Sequence, residues 1–341
     1  MALTDIDGGR LADNAFSLGK NLIINGAMQV AQRGTSFTGL TSGNNYSADR
    51  FAFSLTSSGT ATLTQSADAP VSFKNSFKIE FTAAAASPTE HKIEYRFEGQ
   101  DVQQLEWGTA NAKGITLSFY IKSNKTGNTQ FALQNSANDR SYIAPFTIDA
   151  ANTWERKTIY VPGDTSGTWL TGNDIGLRIR WGFYEASRQS STVNAWQSGI
   201  YQTRSDSPIN FADTIGNTFL LSGVQLEVGS VATPFEHRSY GQELALCQRY
   251  YEQLNAELMN YEAYYPSNGY GHYRGLTFAV PKRAAPTITR DGPASSTGLN
   301  GGSIGMTGYT NGVLFGGSSS GAGICFWSFS STHKIYCNAE L

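Results

Sequence analysis

From Asn21 onward the apolar positions of the chain recur with a period of two. Phe51, Phe53 and Leu55 alternate with small or polar residues, as do Phe77, Ile79 and Phe81, and then Ile93, Tyr95 and Phe97. Ile115, Leu117, Phe119 and Ile121 repeat the pattern, and Ile175, Leu177, Ile179, Trp181 and Phe183 form the longest such run. Each run predicts a strand with one face in a core and one in water. Polar, glycine-bearing turns such as Ser123–Asn128 and Pro162–Gly167 separate them. The last run changes phase at Gly223: Phe219 and Leu221 are odd, whereas Val224, Leu226 and Val228 are even. A bulge at that glycine accounts for the shift. Val102–Trp107 has the pattern of a single helical turn. Many short strands with little helix predict a mainly β fold, a β-sandwich of the jelly-roll kind over residues 21–238.

The stretch Val224–Leu258 closes this domain and opens another. Gly229, Ser230 and Pro234 end the strand. Ser239 and Gln242 then have capping-box spacing, and Glu243 falls in the first turn, where the helix dipole favours an acid. Leu244, Cys247, Tyr251, Leu254 and Leu258 follow at alternating intervals of three and four. That spacing predicts a helix of about 18 residues with a narrow apolar seam. Such a helix is marginal alone, so its seam must be covered, by neighbouring copies or by its own sandwich. The spacing does not choose between two and three helices. The remainder of 239–341 is glycine-rich, with short strands predicted at Leu276–Val280, Gly312–Gly317, Gly323–Ser330 and His333–Leu341. Its aliphatic content is too small for a confident independent core.

Two domains of ordinary size fit the 341 residues. Only 15% of the residues are charged, against about 25% in an average globular domain, so the surface relies on Ser, Thr, Asn, Gln and Gly. A net charge of -2 supplies no drive toward nucleic acid. No signal peptide is visible, and no apolar run approaches the ~18 residues that span a bilayer, so no membrane insertion is expected. Residues 1–20 carry only Leu3, Ile6, Leu11, Phe16 and Leu18 as apolar anchors, which predicts either a disordered leader or an arm that orders on docking. Cys247, Cys325 and Cys337 cannot all pair within one chain, and reduced thiols are expected.

Candidate chemistry is sparse. Gly317–Gly321 reads G-S-S-S-G and matches the serine nucleophile elbow, but no helix follows, and the stretch reads as a loop. His91, His237, His272 and His333 lack metal-ligand spacing, so no zinc site and no cofactor is expected. Asp149, Asp164, Asp174, Glu185, Asp206 and Asp213 could serve glycoside cleavage only if two met about 5–9.5 Å apart, which the sequence does not arrange. No catalytic set emerges, and the chain reads as a non-enzyme. Tyr264, Tyr265, Tyr270 and Tyr273, with His272, crowd a turn-rich stretch. Exposed, such rings stack on sugar faces; buried, they fill a core short of aliphatics. Trp196 and Tyr201, in the long polar stretch Ala186–Ser207, are further candidates for receptor contact.

Three stretches carry a family resemblance. QLEVGSVATPFEHRSYGQELALCQRYYE (Gln225–Glu252) resembles a junction in bacteriophage tail-fibre and minor tail proteins. NLIINGAMQVAQRGTS (Asn21–Ser36) with YSADRF (Tyr46–Phe51) resembles the start of their jelly-roll domains, and NAEL (Asn338–Leu341) their ending. NGAMQ (Asn25–Gln29) also resembles the first strand of calcium-bearing carbohydrate-binding jelly rolls, but Gln29 stands where those place an acid, which leaves a calcium site in doubt. The resemblance implies a structural virion protein of a phage tail, assembled in the host cytoplasm, that binds a bacterial surface glycan without cleaving it. It implies a homotrimer, with the arm at 1–20 docking on other tail proteins. A capsid-attached fibre or decoration protein and a polysaccharide-degrading tail protein are the alternatives.

Overall fold

The computed structural model describes residues 20–84, 90–185, 187–206, 209–292, 295–297, 299, 304–330 and 332–341. The arm at 1–20, apart from Lys20, and the side chains of Leu258 and His272 lie outside the described residues. The chain divides into two compact units after Arg238.

The first unit begins with β1 (Ser36–Ala48), β2 (Phe51–Ser66), β3 (Ser76–Ala83) and β4 (Glu90–Glu98). A helical turn, Gly99–Val102, continues into a 3-10 turn, Gln103–Leu105. Then come β5 (Ile115–Ser123), β6 (Gly127–Gln134), β7 (Arg140–Ile148), β8 (Glu155–Val161) and β9 (Ile175–Glu185). Three short strands, β10 (Gln189–Ser190), β11 (Trp196–Ser198) and β12 (Thr203–Arg204), lead to the closing β13 (Thr218–Val228). The strand order is β11-β7-β6-β9-β4-β2-β3-β13-β5-β8, with β1 also on β2. β2 pairs with β4 over Ala52–Thr56 and with β3 over Thr60–Ser66, so one strand serves both layers.

The odd-numbered residues of the sequence pattern are the inner faces. Phe51, Phe53, Phe77, Ile79, Ile93, Leu117, Phe119, Ile179 and Trp181 belong to one buried cluster. Phe119 of β5 meets Phe131 of β6 and Trp181 of β9 edge-on, with centroids 6.2 and 5.8 Å away. This aromatic interdigitation joins the two layers of the sandwich. The expected bulge is present: the β13–β5 register slips between Ser222 and Gln225, and Gly223 adopts φ 58°. A Cβ there would lie 2.7 Å from the Phe73 ring.

The stretches that carry the family resemblance fasten to one another. Leu22 N–H donates to Leu226 O (3.0 Å), and Val224 N–H to Gly26 O (2.9 Å). Asn25 Nδ2 donates to Val30 O and Asp49 O, both at 2.9 Å. Arg238 Nη1 donates to Ile23 O at 3.0 Å, and Asn21 N–H to Glu236 Oε2 at 2.8 Å. These residues close the sandwich. Asn25 thus ties backbone segments together, which is a structural use of the NGAMQ motif.

The second unit opens with the helix Tyr240–Gln248. Its capping box is formed as the spacing predicts: Gln242 N–H donates to Ser239 Oγ, and Ser239 N–H to Gln242 Oε1. The helix is nine residues long and stops there, which corrects the expectation of a seam running through Leu258. Tyr251 and Leu254 lie on a strand, β14 (Tyr251–Asn255), and Leu258 in a 3-10 turn, Ala256–Met259. Of the proposed seam, only Leu244 and Cys247 are helical, Cys247 fully buried and Leu244 half-buried. The reason is a long-range partner. β14 pairs residue for residue with Lys334–Asn338 at the end of the chain, Leu254 opposite Ile335. Five strand hydrogen-bonding positions outweigh the modest local helix preference of Tyr-Tyr-Glu-Gln-Leu.

Eight further strands follow: β15 (Tyr261–Tyr265), β16 (Gly271–Thr277), β17 (Thr287–Arg290) and β18 (Ser295–Thr297), then β19 (Gly305–Tyr309), β20 (Gly312–Ser318), β21 (Gly323–Ser328) and β22 (Lys334–Asn338). They form three antiparallel sheets, β14-β22-β17, β15-β21-β18 and β16-β20-β19. The chain visits the three sheets in one order twice, then returns through the middle strand of each. On those middle strands the odd residues point inward: Val313, Phe315, Cys325, Trp327, Ile335 and Cys337 share one buried cluster with Phe278 and Phe329. The unit therefore has a core of its own, built from aromatic rings and thiols where aliphatics are few. No disulfide joins the three cysteines, and all are buried.

Candidate functional site

Strand alternation sorts the tyrosines of the second unit. On β15, Tyr261 and Tyr265 face inward: Tyr261 stacks on Trp327 with centroids 4.7 Å apart, and its hydroxyl lies 2.8 Å from that of Tyr265. Burial, followed by that hydroxyl pairing, pushes the Tyr265 phenol up to about 12. Tyr264 points the other way, 71% exposed, opposite Ile324. Of the expected receptor set, Tyr265 is thus half-buried packing, whereas Tyr264, Tyr270 and Tyr273 are exposed.

The outer face of the sheet β16-β20-β19 presents an uncharged surface. Register places Tyr273, Gly316 and Gly305 in one row, Gly275, Leu314 and Thr307 in the next, and Thr277, Gly312 and Tyr309 in the third. No charged residue occupies these rows. Tyr273 is 64% and Tyr309 54% exposed, one on each outer strand. Between them the floor is low because glycines supply it. A Cβ on Gly305 would come no nearer than 3.5 Å to any atom, and one on Gly275 no nearer than 3.8 Å. Internal packing at these two positions therefore does not require glycine. A strand glycine that its own fold does not demand suits close approach of something from outside. Phenol rings beside exposed backbone can stack on the carbon face of a sugar while their hydroxyls hydrogen-bond.

Trp196 and Tyr201 belong to the first unit, and the four tyrosines from Tyr264 to Tyr273 to the second. Trp196 opens β11 opposite Tyr142 of β7, and its indole packs against Trp107 and Trp169. Tyr201 is half-buried, and its carbonyl accepts from Gln134 Nε2 at 3.0 Å. Trp107, Trp169 and Tyr309 escaped the sequence reading. Each lies beside a turn where no periodicity marks it; the available signal was an aromatic residue set among Gly, Ser, Thr and Asn.

Four of the six carboxylates weighed for hydrolysis are held by a neighbouring Arg or Lys. Asp164 takes a two-pronged contact from Arg140 at 2.6 and 2.7 Å. Asp149 pairs with Lys157 and Asp213 with Lys125, at 2.8 and 2.6 Å. Asp206 is held by Arg204, and Glu185 accepts from Ser187 Oγ at 2.9 Å. In the G-S-S-S-G stretch, Ser318 ends β20 and Ser319 Oγ donates to Ser267 O at 2.7 Å, an arrangement that fixes a turn. Among the described residues no three His, Cys, Asp or Glu side chains gather as a metal site would require.

No protein-family model and no curated protein sequence matches the chain. Among solved structures it is similar to the enzymatically active domain of tailspike protein 4 of bacteriophage CBA120, at 11% identity and a TM-score of 0.32. That likeness covers 61% of this chain but only 21% of the tailspike domain. It is also similar to the family 11 carbohydrate-binding module of the cellulosomal cellulase Lic26A-Cel5E of Clostridium thermocellum, at 12% identity and a TM-score of 0.30, covering 58% of this chain and 100% of the module. A putative sugar binding protein of Bacteroides thetaiotaomicron is similar at 12% identity and a TM-score of 0.25, covering 61% and 99%. At these TM-scores the likenesses carry no conclusion about what the chain binds.

Proposed function

We propose that this chain is a phage tail-fibre protein that attaches to a bacterial surface glycan by non-covalent contact. The observation that carries the reading is the uncharged, glycine-floored sheet face flanked by Tyr273 and Tyr309. The resemblance of Asn21–Ser36 and Gln225–Glu252 to tail proteins supplies the virion context. In this reading the arm at 1–20 docks on other tail proteins, the protein assembles in the host cytoplasm with its thiols reduced, and display in several copies raises avidity. A homotrimer belongs to the same reading. It rests on the tail-fibre resemblance alone, because the helical seam that also pointed to it is not formed. Light scattering at micromolar concentration should give three times the monomer mass, and a monomer mass would end the trimer proposal.

The test of attachment uses the whole chain with host cells and their extracted polysaccharide. Wild type should be retained by both and leave the polysaccharide's elution from a sizing column unchanged. The double variant Tyr273→Ala/Tyr309→Ala should lose retention at an unaltered melting temperature. Unchanged retention by that variant would remove the sheet face from the site. Progressive shortening of the polysaccharide would instead favour the degrading alternative, and labelled antibody bound to capsids rather than tails the decoration alternative.

A further inference from the structure

The first unit contains an aromatic cleft that none of the foregoing uses. It has a volume of about 420 Å³ and opens between Val102–Asn111 and Trp169–Thr171. That size falls within the roughly 300–1,000 Å³ range of small-ligand sites. Trp107 lies at its base, 7% exposed, and Trp169 stands against it edge to face with centroids 4.7 Å apart. Trp196 supports both, at 5.2 and 5.5 Å.

Every indole N–H in this group is committed to a backbone carbonyl. Trp107 Nε1 donates to Lys113 O (2.7 Å), Trp169 Nε1 to Ser166 O (3.1 Å) and Trp196 Nε1 to Pro162 O (2.7 Å). The rings are therefore fixed in orientation and offer carbon to the cleft. Polar groups gather at its mouth instead. Gln103 and Asn111 are exposed there, and Thr109 Oγ1 donates to Glu106 O at 2.7 Å. Glu106 also lines the cleft, with its carboxylate 2.6 Å from Lys113 Nζ. Its backbone is left-handed, at φ 54°, where it ends the 3-10 turn.

We propose that this cleft binds an uncharged pyranose unit. A sugar ring has one carbon-rich face and an equator of hydroxyls; the indoles match the face, and Gln103, Glu106 and Asn111 match the hydroxyls. Glu106 and Lys113 neutralise one another, which leaves no net positive charge at the pair to attract an anionic sugar. The choice of a sugar rests on the glycan-binding reading above. The cleft itself lies wholly within the first unit, so it and the tyrosine face can fail separately.

Titration of the full chain with maltose, cellobiose, lactose and glucuronic acid, followed by tryptophan emission and calorimetry, tests this. At least one neutral disaccharide should give a saturable change in emission with matching heat, and glucuronic acid should give none. Trp169→Ala should abolish binding. Because Trp169 also packs on its neighbours, Glu106→Ala and Asn111→Ala serve as rim variants; each removes hydroxyl contacts and should weaken binding about tenfold. Repeating these titrations in a Tyr273→Ala/Tyr309→Ala background removes the tyrosine face, so that saturable binding left there belongs to the cleft. The proposal is overturned if no neutral sugar binds, if glucuronic acid binds equally, or if both rim variants bind like wild type.

Discussion

His91 on β4 and Phe81 on β3 pack ring against ring, with centroids 5.4 Å apart, and neither imidazole nitrogen has a hydrogen-bond partner among the described residues. Burial holds this imidazole neutral, pulling its pKa from 6.5 down to about 4. The unfolded chain takes up a proton near pH 6.5 that the folded chain refuses until about 4. The His91 contribution to stability is therefore fully present above pH 6.5 and falls as the pH drops through that window, by an amount on the order of 3 kcal/mol. His91→Phe should flatten the dependence, as read from urea midpoints between pH 7 and 4. An unchanged slope in the variant would show that another group is responsible.

Glu94 provides a second, more acidic step. Burial alone would raise its carboxyl, but Arg180, Arg96 and Lys92 outweigh burial and hold it at about 2. Its contribution is present above pH 4.5 and lost as the pH falls toward 2. At neutral pH Glu94→Gln leaves Arg180, only 6% exposed, without its carboxylate. A loss of about 3–5 kcal/mol is expected by equilibrium unfolding. A loss below about 1 kcal/mol would mean that Arg180 re-pairs or reaches water.

Neighbouring tyrosines on β15 should behave oppositely. Tyr265→Ala removes an inward ring and its hydroxyl contact with Tyr261, and should lower the stability of the second unit by about 2 kcal/mol. Tyr264→Ala removes a ring that is 71% exposed and should stay within about 0.5 kcal/mol of wild type. Thermal unfolding of the two variants side by side decides whether the alternation is as described.

At Gly26 a Cβ would stand 2.1 Å from the carbonyl oxygen of Val224, part of the backbone that fastens the opening of the sandwich to its close. Gly26→Ala must push these segments apart, and a melting temperature lower by several degrees, for a cost of about 1–3 kcal/mol, is expected. A wild-type melting temperature would show the fastening to be slack.

The tail-protein resemblance rests on residues that prove to be fasteners: Asn21, Asn25, Gly26, Leu226 and Arg238 help tie the sandwich shut. A resemblance of that kind reports architecture and says little about ligand. The surfaces suited to binding, around Tyr273 and Trp107, lie outside those stretches.

What the sequence determined by itself is the first unit's layering. Period-two burial at Phe51–Leu55, Phe77–Phe81, Ile115–Ile121 and Ile175–Phe183 needs no knowledge of partners, because a pleated strand turns alternate residues to one side. The phase change at Gly223 and the capping box at Ser239 and Gln242 were legible for the same reason: both are local geometry. Tertiary structure alone decided the rest. Spacings of three and four from Leu244 to Leu258 fit a helix, yet the chain leaves it after Gln248 because β22, some 80 residues later, offers strand pairing and a half-buried place for Leu254 opposite Ile335. Trp107, Trp169 and Trp196 come from three separate segments that no periodicity links. Only the closure of the sandwich brings their rings together.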